Sequence, residues 1–120
     1  MTSIAPWITV GDTATALAFY RDAFAATELE RTEDPHGTVI VAHLAIDGAD
    51  FWVQHESGLE PPRQEEAIRM ILSVDDPDAV YGRALAAGAV AITPVYEGHG
   101  WRIGRVADPG GHHWEIGRPL

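Results

Sequence analysis

One pattern of elements runs through this chain twice, and a duplicated pattern admits few folds. The first pass opens at Ile4–Val10, a short, apolar and partly β-branched run that reads as a strand. Gly11 ends it, and Asp12 or Thr13 can cap the next element. Ala14–Ala25 then carries Ala16, Leu17, Phe19, Tyr20, Ala23 and Phe24 at helical spacing. Thr27–Thr32 alternates as a strand, Asp34-Pro35-His36-Gly37 is a turn, and Thr38–Ile46 is β-rich. Asp47-Gly48 signals a hairpin, with Ala49–His55 returning. Residues 57–66, holding Gly58, Pro61 and Pro62, form the best linker. The second pass predicts a strand over Ala67–Val74 and a helix from Asp75-Asp76-Pro77 to about Ala87, with Gly88 at its C-cap. Strands come next over Ala89–Tyr96 and Trp101–Ala107, around a loop at Glu97–Gly100. Asp108-Pro109-Gly110-Gly111 is a turn, and His112–Gly117 is the last strand.

The order is β-α-β-β-β twice, within one domain over residues 1–120, as modules 4–56 and 67–117. The repeat is faintly visible in the residues themselves. Ile8-Thr9-Val10-Gly11-Asp12 resembles Leu72-Ser73-Val74-Asp75-Asp76 at a shift of 74 − 10 = 64, and Ala23–Ala26 matches Ala86–Ala89 one gap later. A plain α+β sandwich without duplication is the alternative.

The composition excludes several function classes. Apolar residues at 46% and charged residues at 22% suit a globular chain rather than a disordered one. The absence of cysteine excludes disulfides, thiolate metal sites and cysteine nucleophiles. A net charge of −10 repels phosphate backbones, so no nucleic-acid partner is expected. No run reaches the ~20 apolar residues of a membrane span, and the N-terminus lacks the pattern of a signal peptide. The expected location is the cytoplasm, with no membrane partner.

Three segments carry a family resemblance. Pro6–Asp12, then Ala18-Phe19-Tyr20-Arg21-Asp22-Ala23-Phe24, resembles the opening strand and helix of small bacterial glyoxalase/bleomycin-resistance-like proteins of the vicinal oxygen chelate superfamily. Gly104–Ile116 resembles their closing Asp-Pro-x-Gly-x-x-x-Glu hairpin, and Ala42–Gly48 resembles the middle hairpin of their first module. The resemblance spans essentially the whole chain. It implies an α+β fold of two βαβββ modules forming a curved, cup-like sheet, and a homodimer. It does not by itself imply one activity, because this fold hosts isomerases, ring-cleaving dioxygenases, thiol transferases and non-catalytic drug binders.

Members with metal chemistry take ligands from the first strand of each module and from the last strand. Carried over by position, these fall on Ala5, Arg69 and Glu115, with a fourth near Trp52 or Gln54. Alanine has no donor and arginine stays protonated. Only Glu115 matches a family ligand, so no metal and no cofactor are expected. A site built from His43, His113 and Glu115 is conceivable, but no spacing rule supports it. His112 and His113 are adjacent and point to opposite faces of a strand.

Strand alternation sorts the remaining side chains. If Ile8, Val10, Leu44, Leu72, Trp114 and Ile116 pack on the helices, the cup holds Trp7, Arg69, His113 and Glu115, with His43, Trp52 and Trp101 as further candidates. An aromatic wall with a cation, a carboxylate and imidazoles suits a planar or amphipathic small molecule. The bland reading pairs Arg69 with Glu115 and buries the tryptophans in a dimer core. Two functions are compatible with this set. One is metal-independent binding of a small aromatic or amphipathic ligand. The alternative is a glyoxalase-like lyase, isomerase or dioxygenase acting on a small oxygen-rich substrate, with Glu115, His113 and Arg69 as candidate catalytic groups.

Overall fold

A computed structural model describes residues 1–63 and 68–120. The elements in chain order are β1 (Trp7–Val10), α1 (Thr13–Phe24), β2 (Thr27–Glu33), β3 (Val39–Ile46), β4 (Ala49–His55), β5 (Arg69–Ser73), α2 (Pro77–Ala86), β6 (Val90–Gly98), β7 (Trp101–Ala107) and β8 (His113–Pro119). They form two four-stranded mixed sheets, ordered β1-β4-β3-β2 and β5-β8-β7-β6. β1 with β4 and β5 with β8 run parallel, and the other pairs are antiparallel. The fold is α+β, built of two βαβββ modules.

The helix caps fix the duplication to the residue. Asp12 accepts from the Thr15 amide at 3.1 Å, and Asp76 accepts from the Ala79 amide at 3.2 Å. The caps stand 76 − 12 = 64 residues apart, the shift already visible in the sequence. Both are ordinary N-caps, supplying an acceptor to an amide that the helix leaves unpaired.

The two helices pack on each other and each covers one face of its own sheet. Ile8 and Val10 of β1, Ala42 and Leu44 of β3, and Phe51 and Val53 of β4 face the core with Phe19, Tyr20 and Phe24 of α1. The second module adds Val106, Trp114 and Ile116 with Val80, Tyr81 and Ala84. Aromatic contacts join the halves: Phe24 lies 4.9 Å from Trp114, and Phe51 lies 5.5 Å from it, centroid to centroid.

Some boundaries differ from expectation. β1 starts at Trp7 rather than Ile4; the Trp52 amide still donates to the Pro6 carbonyl at 2.9 Å, but Pro6 has no amide with which to continue a ladder. The expected loop at Glu97–Gly100 is a tight hairpin in which β6 runs to Gly98 and β7 starts at Trp101. His99 (φ 54°) and Gly100 (φ 80°) both take left-handed backbone there, as a two-residue turn requires. Asp47 (φ 48°) and Gly48 (φ 85°) do the same between β3 and β4. Of the expected strand Ala67–Val74, Ala67 lies outside the described residues, as do residues 64–66 of the linker. No helix is long and apolar enough to cross a membrane among the described residues.

Candidate functional site

On the face of the first sheet turned away from the helices, three rings form a column. Because Ile8 and Val10 go to the core, Trp7 is thrown outward, and the register sets Trp7 beside Trp52 and Trp52 beside His43. The Trp7 and Trp52 rings are 5.7 Å apart and 20° from parallel; His43 and Trp52 are 3.9 Å apart and 5° from parallel. Each end of the column is anchored. Trp7 Nε1 donates to Gln54 Oε1 at 2.8 Å, and His43 Nε2 donates to Asp50 Oδ2 at 2.8 Å. Trp52 is covered on both faces. Trp7 sits on an edge strand, so its far ring face has no neighbour within the sheet, and the residue is 53% exposed.

The second sheet repeats the geometry with different chemistry. The 64-residue shift puts Ile71 at the place of Trp7. The register then pairs Ile71 with Glu115 and Glu115 with Arg105, where the first sheet has Trp52 and His43. The next row is Arg69, His113 and Ala107. Glu115 Oε1 accepts from Arg105 Nη2 at 3.1 Å and from Arg69 Nη1 at 3.5 Å. Arg105 and Glu115 are mostly buried, whereas half of the Arg69 side chain is exposed. His113 is 4% exposed and, among the described residues, its Nδ1 has no hydrogen-bond partner. Burial lowers the His113 pKa and the Arg105 charge lowers it further, so the imidazole is neutral near pH 7.

Between the β1 and β5 edges lies an open cleft of about 860 Å³. Ala5 and Trp7 line one wall, Arg69 and Ile71 the other, with Phe51 and Trp114 also contributing. His113 and Glu115 are not in its lining; they stand behind Arg69 on the sheet face. A second cleft, of about 690 Å³, lies against α1 and the β2–β3 hairpin. Its Arg21 and Arg31 are engaged by Asp22, Glu28 and Glu33, and none of the candidate site residues lines it.

Trp101 does not belong with the others. It faces Pro119 at the far end of β8, whereas the cleft meets the start of β8 at Trp114, with His112 just before the strand. β7 carries it six residues from Ala107, roughly 20 Å at the rise of a strand. Among the described residues, no ring contact joins it to the column. The stacked rings are therefore Trp7, Trp52 and His43, of which Trp7 reaches the cleft.

A model of the Glyoxalase/Bleomycin resistance protein/Dioxygenase superfamily matches residues 2–116. The chain belongs to that superfamily. An uncharacterised protein of Mycobacterium bovis is 37% identical to it over 98% of this chain and 84% of its own. Among solved structures, TnmS3, an antibiotic binding protein from Streptomyces sp. CB03234, superposes with a TM-score of 0.68 at 20% identity, covering 99% of this chain and 98% of that one. The fosfomycin resistance protein FosX from Listeria monocytogenes, solved as an E126Q mutant with Mn(II) and a dihydroxypropylphosphonic acid, superposes with a TM-score of 0.75 at 18% identity, covering 100% and 92%. At such identities both speak for the fold alone.

The positions that the resemblance assigns to metal ligands do not suit a cation in this chain. Ala5 brings no donor, Arg69 brings a fixed positive charge, and Glu115 is already the acceptor for two guanidinium groups. Nor do His43 and His113 converge: His43 stacks on Trp52 and bonds Asp50 in the first sheet, and His113 sits in the second. Among the described residues, no three His, Asp or Glu side chains gather closely enough to hold an ion. Sequence reasoning missed Arg105, the nearer partner of Glu115. Alternation along β7 places Arg105 two residues from Ile103 on one face, but only the strand register brings it opposite Glu115.

Proposed function

We propose that this protein binds a small aromatic or amphipathic organic molecule in the cleft between β1 and β5, without a metal ion, and works as a cytoplasmic homodimer. The carrying observation is the ring column, which ends in an uncovered Trp7 face at the wall of an open cleft. A flat ligand gains both apolar burial and ring stacking there, and the cleft has the volume of ordinary small-molecule sites. Antibiotic binding by TnmS3 is a precedent on the same fold and nothing more. The lyase, isomerase or dioxygenase alternative needs Glu115 as a free base or as a metal ligand, and two guanidinium groups hold that carboxylate against both roles.

Homodimerisation is supported by the surface the chain leaves uncovered. β6 is a sheet edge away from the cleft, and Val90 and Tyr96 on it are exposed. The β2 edge, by contrast, carries Glu28, Glu30, Arg31 and Glu33 and is guarded against pairing.

A thermal-shift screen of flat aromatic compounds, run with and without EDTA beside elemental analysis and multi-angle light scattering, tests the reading. Expected are a raised Tm with at least one compound, no effect of EDTA, loss of the shift in Trp7→Ala, and a mass of two chains. Stoichiometric metal with metal-dependent turnover overturns the binding reading; a monomer at micromolar concentration overturns the dimer.

A further inference from the structure

The cleft has two unlike walls, and their difference specifies the ligand that fits between them. Trp7, the end of the stacked Trp7–Trp52–His43 column, lines one wall, and Arg69 and Ile71 line the other, while Glu115 and Arg105 lie outside the lining. The free Trp7 face accepts a ring. The other wall carries the Arg69 cation. Glu115 is one carboxylate shared by two guanidinium groups, and Arg105 is its better partner, at 3.1 Å against 3.5 Å and with both groups mostly buried. That pair is self-contained. Arg69 is left over: it touches Glu115 through one N–H at the outer limit of a hydrogen bond, half its side chain is exposed, and it lines the cleft while Arg105 does not. A guanidinium has five N–H donors in a planar fork matched to a carboxylate.

A second observation falls beside it. His113 is directly across from Arg69 in the β5–β8 ladder, behind the cleft lining, and its buried Nδ1 has no partner among the described residues. A buried polar atom left unpaired in a native fold calls for an occupant or a rearrangement. Among the described residues, Asp50 and Glu60 also line the cleft; His43 engages Asp50 at 2.8 Å, and no ion pair joins Glu60 to Arg69. In a chain of net charge −10, a cleft-lining arginine held by one 3.5 Å contact among the described residues is a local exception to the general field.

Resting on the small-molecule reading above, we propose that the ligand is a flat aromatic acid. Its ring extends the His43–Trp52–Trp7 column on the free face of Trp7, and its carboxylate, or another monoanion, sits on the Arg69 fork. The ring supplies affinity that any aromatic shares, and the arginine supplies selection by charge.

Three probes of one ring size separate these contributions: 2-naphthoate, 2-naphthylmethanol and 2-naphthylmethylammonium, titrated into the full chain by calorimetry. The carboxylate should bind about tenfold tighter than the alcohol, the margin that one charge-assisted hydrogen bond provides, and the ammonium should bind weakest. Arg69→Gln should erase the carboxylate's advantage over the alcohol, with an unchanged thermal midpoint of the free protein showing that the variant is folded. Trp7→Ala should weaken both. Equal binding of all three probes, or an advantage that survives Arg69→Gln, overturns the acid-selective site while leaving the cleft a binding site. Failure of every probe to bind the unmodified protein overturns the small-molecule reading and this inference with it.

Discussion

Asp108 is 3% exposed and accepts four hydrogen bonds. Its Oδ2 takes the Tyr20 hydroxyl at 2.5 Å and Trp114 Nε1 at 2.9 Å; its Oδ1 takes the amides of Gly110 and His112, each at 2.9 Å. Tyr20 belongs to α1 of the first module, 88 residues away, so this carboxylate ties the halves together. Burial and the Asp108 charge push the Tyr20 phenol well above its ordinary pKa, which keeps it a neutral donor. Removing one donor and removing the shared acceptor should differ sharply. Tyr20→Phe should cost ~1–2 kcal/mol in urea unfolding, and Asp108→Ala ~3–5 kcal/mol, because it strands several buried donors at once. Similar costs would mean that the hub is not shared.

His113 gives a second prediction at this scale, with its sign set by linkage. Its folded pKa is depressed below the unfolded value of about 6.5. Below that value the unfolded chain takes up a proton that the folded chain refuses until the pH is lower still. The stability contribution is therefore complete above about pH 6.5 and is lost as pH falls through the folded pKa. Urea midpoints measured from pH 7.5 to 5 should fall more steeply for the natural protein than for His113→Phe. Parallel curves would show that the folded pKa of His113 is not depressed.

At the scale of elements, most of the fold was legible because local chemistry decides it. Asp12 and Asp76 cap helices because a carboxylate at that position meets free amides, and Asp47-Gly48 turns because both residues tolerate left-handed backbone. Alternation placed Trp7, His43 and Arg69 away from the helices, because a strand residue's face follows from its neighbours' burial. The failures are those that needed pairing register. Trp101 has the right parity for the site face but stands at the wrong end of β7, and parity carries no information about position along a strand. Arg105 was overlooked for the converse reason: its partner, Glu115, is ten residues away across a turn whose exact pairing no single segment determines. The bland pairing of Arg69 with Glu115 does form, but as the weaker of two contacts.

The whole molecule is a duplicated frame in which equivalent positions have diverged, and that makes the expectation of no metal testable by reconstruction. Ala5 and Arg69 stand 69 − 5 = 64 residues apart, so they are the same position in the two modules, and both line the cleft. Replacing both with histidine would give a His-His-Glu set of the kind that holds a divalent ion. Yet Ala5→His/Arg69→His should bind zinc poorly, because Arg105 still lies 3.1 Å from Glu115 and would repel the ion while occupying its carboxylate. Adding Arg105→Gln removes that competitor, and zinc affinity by calorimetry should then rise at least about tenfold over the double variant, to one ion per chain. Tight zinc binding by the double variant would mean that Arg105 does not govern Glu115. No binding by the triple variant would mean that the two modules do not bring residues 5, 69 and 115 to one point, and the assignment of the superfamily's ligand positions in this chain would fall.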